Sequence, residues 1–160
     1  MNQKAHITSG ILLASAAMIA EIPPLTASLI VFGGMFNDLD CAEVLFSGRF
    51  HRKLFHNIFF IGFFLALSTK YAPLMYWALG MSLHNVMDLF SGAPVYLFWP
   101  VSYKENHFGV GGWGVPNDSF LSFPVGVAIA VAVSGGYLAV TGYLGEALLL
   151  LRNLWEFLLP

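Results

Sequence analysis

Apolar positions gather in five blocks, residues 7–22, 25–36, 54–68, 74–90 and 120–140, separated by stretches where Gly, Pro, Asn, Asp and charged residues collect. Each block reads as helical. A helix that crosses a bilayer needs about 20 residues, so the first two are short and must recruit flanking polar residues, tilt little or thin the membrane. The motif EIPP at 21–24 breaks the chain between the first two blocks, and Ala72-Pro73 does so before the fourth, because proline is tolerated only at a helix start. These are tight turns on one side. Residues 37–53 and 91–119 form longer connections, and alternation of the blocks puts both on the other side. The tail GEALLLLRNLWEFLLP spaces Glu146, Asn153 and Glu156 at helical intervals with Trp155 between them. It predicts an amphipathic helix lying in the membrane interface. The expectation is an all-α, polytopic membrane bundle of about four to five spanning helices plus this C-terminal interfacial helix. It forms a single domain over residues 1–160, with the motif-bearing part at 4–100, a Gly-rich loop at 101–119 and C-terminal helices at 120–160.

Composition sharpens this picture. Hydrophobic residues make up 58% of the 160, charged residues 10%, and mean hydropathy is +0.72, whereas soluble domains carry about 25% charged residues. A net charge of −2 offers no basic footprint, so no nucleic-acid partner is expected. The single Cys41 excludes an intrachain disulfide framework. Lys4, Arg49, Arg52, Lys53 and Lys104 fall on the side of the long connections and Lys70 on the side of the turns, which points that first side to the cytoplasm.

The same side collects the groups that lipid disfavours. His6 opens the first block, Asp38 and Asp40 follow the second, His51 and His56 flank the start of the third, and His84 and Asp88 close the fourth. Alternation brings all seven to one membrane face. His84 and Asp88 are four residues apart and share a helix face. His51 and His56 are about 140° apart on an ideal helix, so they share a site only if a helix begins between them. Carboxylates gathered in an apolar setting repel and take up protons unless a cation neutralises them. Imidazole and carboxylate ligands suit Zn²⁺, Mn²⁺ or Fe²⁺, and the lack of thiolates argues against a closed structural zinc site. The residues therefore predict a divalent metal centre with open positions.

The ordered motifs NDLD at 37–40, HRKLFHN at 51–57 and HNVMDLFSGAPVYLFWP at 84–100, preceded by His6, resemble the YdjM-like family of small inner-membrane proteins, described as metal-dependent hydrolases and as LexA-binding. The resemblance covers roughly residues 4–100. It implies metal-ligand roles for His6, Asp38, Asp40, His51, His56, His84 and Asp88, and it matches Arg52 to the arginine of an H-R pair and Trp99-Pro100 to a closing W-P. Two positions depart from the family pattern: Asn37 stands in place of proline and Asn57 in place of serine.

The expected function follows from the site and its depth. A metal with three or four protein ligands keeps a water of lowered pKa and sets it against an ester or phosphoester. Seven candidate ligands allow one or two zinc ions, with manganese or iron as alternatives. Asp38 or Asp40 would bridge ions or act as general base, and Arg52 would hold a phosphate oxygen bidentately at the mouth. The substrate class is a lipid-like molecule at the cytoplasmic face of the inner membrane. The alternatives are a metal-binding scaffold with a regulatory protein partner, as the LexA-binding description implies, and a metal or proton transporter. The short first helices also suit a homo-oligomer.

Overall fold

The computed structural model describes residues 3–41, 52–90, 94–106 and 122–158. Among these, six α-helices make up the fold: α1 (Gln3–Ile19), α2 (Pro24–Asn37), α3 (Ile58–Ser68), α4 (Leu74–Leu89), α5 (Ser122–Thr141) and α6 (Leu144–Leu158). A 3₁₀ turn, Asp38–Cys41, continues α2. The fold is all-helical; beyond the helices, Val95 and Asn106 form an isolated bridge.

The proline breaks act where the sequence puts them. Glu21 reverses the chain at φ 62°, Pro23 precedes α2 and Pro24 is its first residue, a position whose N–H needs no partner. Pro73 likewise precedes α4. The third block behaves differently. Its helix begins at Ile58 because Asn57 caps it, accepting from the Phe60 N–H at 2.8 Å. The Asn57 amide also donates to the carbonyls of Lys53 and Leu54 at 2.7 and 2.6 Å, folding residues 53–57 into a turn. His56 therefore precedes the helix, and α3 does not begin between positions 51 and 56.

Small residues let the helices approach. Built onto Gly33, a Cβ would strike the Trp77 carbonyl; built onto Gly80, it would strike that of Ile30. The backbones of α2 and α4 thus touch, as small residues permit in membrane bundles. One turn further along each helix stand Asn37 and His84, so this crossing fixes their separation. Ala5, Leu13, Ala14 and Ala17 of α1 pack with Ala27 and Ile30 of α2 and with Leu83 and Met87 of α4. Outside α4 and α2, an aromatic cluster ties in α3: Phe36 lies 4.7 Å from Phe55 and 5.4 Å from Trp77, and Phe64 stacks on Trp77 at 5.8 Å.

α3 buries none of its residues, and Phe59, Phe63 and Leu65 stand exposed. On α6, Ala147 packs against Ala16 and Leu138, while Trp155 and an Arg152–Glu156 pair at 2.8 Å are exposed. Among the described helices, α5 over Phe123–Thr141 is the one long and apolar enough to cross a membrane. α1, α2, α3 and α4 have 17, 14, 11 and 16 residues. At about 1.5 Å per residue, they fall short of a hydrocarbon core of about 30 Å.

Residues 94–106 fold back on the turn that precedes α3. Val95 and Asn106 exchange backbone hydrogen bonds of 3.2 and 2.8 Å, and the Ile58 N–H donates to the Leu97 carbonyl at 2.9 Å. Tyr96 donates to Glu105 at 3.0 Å, and that carboxylate raises the Tyr96 pKa. Trp99-Pro100 is a cis peptide.

Candidate metal centre

Four stretches meet at one end of the bundle: the first turn of α1 with His6, the end of α2 with Asn37 and Asp38, the turn before α3 with Arg52 and His56, and the last turns of α4 with His84 and Asp88. The Asp88 carboxylate is the hub. His6 Nε2 lies 3.1 Å from its Oδ1; His56 Nε2 and His84 Nε2 lie 3.4 and 3.5 Å from its Oδ2. His56 and His84 face each other, Nε2 to Nε2, at 3.2 Å. Asp38 Oδ1 is 3.5 Å from His84 Nε2.

Spacings of this size would let the groups share one cation. Zinc holds nitrogen and oxygen ligands at 2.0 to 2.2 Å, which sets neighbouring ligand atoms of a tetrahedron about 3.3 Å apart. The observed separations run from 3.1 to 3.5 Å. Two groups have ligand atoms all within 4.8 Å of one another: His6, His84 and Asp88, and Asp38, His56 and His84. Both depend on His84, whose Nε2 faces either set. One imidazole nitrogen ligates one ion, so the two groups share His84 and compete for it.

The chemistry of the donors fits a cation. His6 and His84 stack with ring centroids 3.8 Å apart and planes 13° apart. Two imidazolium rings so placed would repel, and the stack suits neutral rings, the form that ligates a metal. The Nδ1 atoms of His6 and His84 are buried without a hydrogen-bond partner among the described residues. Asp88 and His84 are almost wholly buried, whereas the Asp38 side chain is 32% exposed. The cluster is closed around Asp88 and opens at Asp38.

Arg52 differs from the expectation of a guanidinium at the mouth. It is buried, and its Nη1 lies 3.5 Å from Asp88 Oδ2. Its backbone sits at φ 51°, a left-handed conformation that costs a non-glycine residue energy and that clusters at functional sites. Its Nε has no hydrogen-bond partner among the described residues. Asp40 belongs to the 3₁₀ turn, but its side chain, like all of His51, lies outside the described residues. The Gly-rich loop also lies outside them from residue 107 onward.

Sequence reasoning missed an amide pair beside the cluster. Asn37 Nδ2 donates to Asn85 Oδ1 at 2.8 Å and to the Met81 carbonyl at 3.2 Å, joining α2 to α4 next to Asp38 and His84. The available signal was the departure at position 37, where an amide replaces a proline that has no side-chain donor.

The profile of the YdjM inner membrane protein family matches residues 1–157, and the chain belongs to that family. The match extends the resemblance through the C-terminal helices. No curated protein and no solved structure matches the chain.

Proposed function

We propose that this chain is a multi-pass inner-membrane hydrolase that uses a divalent metal to cleave an ester or phosphoester of a lipid-like substrate at the cytoplasmic interface. The observation that carries the reading is the convergence of three imidazole Nε2 atoms and two carboxylates, five of whose pairwise separations are 3.1 to 3.5 Å. His6, His56, His84 and Asp88 would hold the ion, with Asp38 as a further ligand. Zinc heads the candidates, with manganese or iron next. Such an ion supplies Lewis-acid polarisation and lowers the pKa of a water toward neutrality.

The chain's own residues divide the remaining work. Arg52, with its Nη1 3.5 Å from Asp88 Oδ2, helps orient that carboxylate toward the three imidazoles. Asp38, the exposed member, is the group a substrate meets first, and its carboxylate would serve either as that further ligand or as the base that takes a proton from an attacking water. Asp40 and His51 remain candidates for a second ion or a second base. Burial of His6, His56, His84 and Asp88 keeps bulk water from them, which strengthens electrostatic interactions among them.

Burial of His56, His84 and Asp88 favours a second reading, a metal-holding scaffold that presents its cytoplasmic face to a regulatory partner. A transporter is less apt, since it needs ligands near the bilayer midplane and reachable from both sides, and here they collect at helix ends. The decisive first measurement is metal content by mass spectrometry, on wild type and on His84→Ala and Asp88→Ala, purified without chelator. One or two transition-metal ions per chain, lost in both variants, are expected. A metal-free wild type after resupply would defeat both metal readings. A loaded protein that cleaves no ester or phosphoester lipid would leave the scaffold.

A further inference from the structure

Asp38 reaches the cluster from the 3₁₀ turn that ends α2, where its Oδ1 lies 3.5 Å from His84 Nε2 on α4. Its ligand atom and those of His56 and His84 all lie within 4.8 Å of one another. The side chain is 32% exposed and sits at a helix end, so its place depends on what ties the end of α2 to α4.

That tie is the Asn37 amide. Its nitrogen donates to the Met81 carbonyl at 3.2 Å and to Asn85 Oδ1 at 2.8 Å. The acceptors fix its orientation, because turned over it would set its oxygen against two others. Asn37 precedes Asp38 and Asn85 follows His84, so the bridge joins the chain neighbours of the two groups that meet. One turn earlier, Gly33 and Gly80 let the backbones touch; the amides hold α2 on α4 at the depth of the cluster, as polar pairs across helices do. A slip of one residue along α2 is about 1.5 Å, several times the tolerance of about 0.2 Å for a ligand distance.

Stability does not account for the pair. Asn37 and Asn85 are buried, and Asn37 Oδ1 and Asn85 Nδ2 have no hydrogen-bond partner among the described residues. Two apolar side chains of similar shape would fill the space and leave no polar atom stranded.

Resting on the metal reading above, we infer that Asn37 and Asn85 are positioning residues whose hydrogen bond holds Asp38 at ligand distance from a cation bound at His84. Loss of the pair leaves His6, His56, His84 and Asp88 in place, so the ion is held less tightly and with an altered ligand set.

Cobalt titration of the full chain in detergent, followed by visible absorption and run beside thermal unfolding, tests this. Wild type is expected to take up Co²⁺ saturably, and Asp38→Ala to weaken it and change its spectrum. The double variant Asn37→Leu, Asn85→Leu removes both polar partners, so its unfolding midpoint should stay near that of wild type. Its cobalt affinity should nevertheless fall about 10–100-fold, with a spectrum like that of Asp38→Ala. Adding Asp38→Ala to the double variant should cost little more, because both changes remove the same ligand. If the double variant does not fold, Asn37→Ala carries the same comparison. A folded variant with the affinity and spectrum of wild type, losses that add to those of Asp38→Ala, or an Asp38→Ala spectrum identical to wild type would each overturn the positioning role and leave the metal reading intact. Wild type that takes up no cobalt would overturn both.

Discussion

Asp88 is flanked by three imidazoles and the Arg52 guanidinium at 3.1 to 3.5 Å, with 1% of its side chain exposed. Removing one member of a buried ion pair leaves an uncompensated charge, which costs about 3–5 kcal/mol, whereas replacing both with apolar groups of similar size is often neutral. Asp88→Ala should therefore lower the thermal unfolding midpoint in detergent sharply. The double variant Asp88→Leu, Arg52→Met should regain most of that midpoint while its metal content stays at zero. A double variant as unstable as the single would mean that the stranded guanidinium is not the cause. At this scale the sequence was readable where spacing alone decides. The i, i+4 interval of His84 and Asp88 places both on one helix face whatever the tertiary structure. Arg52 was not readable, because its left-handed backbone and its burial depend on how the chain returns from α2 to α3. The Asn37–Asn85 pair needs the register of α2 on α4, which the crossing at Gly33 and Gly80 sets and neither local pattern contains.

Helix α3 depends on one side chain for its start. The Asn57 oxygen accepts from the N–H of Phe60, three residues on, while its nitrogen closes the turn that presents His56. Serine, the residue of the family pattern at this position, is also a favoured cap, so Asn57→Ser should shift stability by only a few tenths of a kcal/mol. Asn57→Ala should cost about 1 kcal/mol. Chemical denaturation monitored by circular dichroism separates the two, and equal losses in both variants would show that the turn, and not the cap, needs the amide. Element boundaries at Pro23, Pro24 and Pro73 were legible because a missing N–H and a fixed φ act locally. The start of α3 was not. Leu54 and Phe55 are apolar and prolong the hydrophobic run, yet Phe55 reaches the cluster with Phe36 and Phe60 from a turn, and an apolar run does not distinguish a buried turn from a helix.

At the scale of the whole molecule, the exposed apolar surface and the lengths of the helices pull in different directions. Leu148, Leu149, Leu150 and Leu151 on α6, Val131 and Val140 on α5, and Phe59 and Phe63 on α3 all stand exposed, and so much uncovered hydrocarbon suits a lipid surroundings. Yet α3, with 11 residues, extends about 17 Å, little more than half a hydrocarbon core. Alternation of sides rests on that helix, because it separates Lys53 and the His/Asp cluster from Lys70. With Arg52 buried against Asp88, the cations left to orient the cluster's end among the described residues are Lys4, Lys53 and Lys104. Single cysteines placed in a Cys41→Ser background decide the matter: Tyr103→Cys on the exposed segment near the cluster, and Thr69→Cys just beyond α3. A membrane-impermeant maleimide should label Thr69→Cys in intact spheroplasts and Tyr103→Cys only in inverted vesicles. Labelling of both from the same side would make α3 a re-entrant element and remove multi-pass alternation through it. Labelling on opposite sides in the reverse sense would keep the alternation but move the centre to the periplasmic face, where its substrate would be drawn from the outer leaflet.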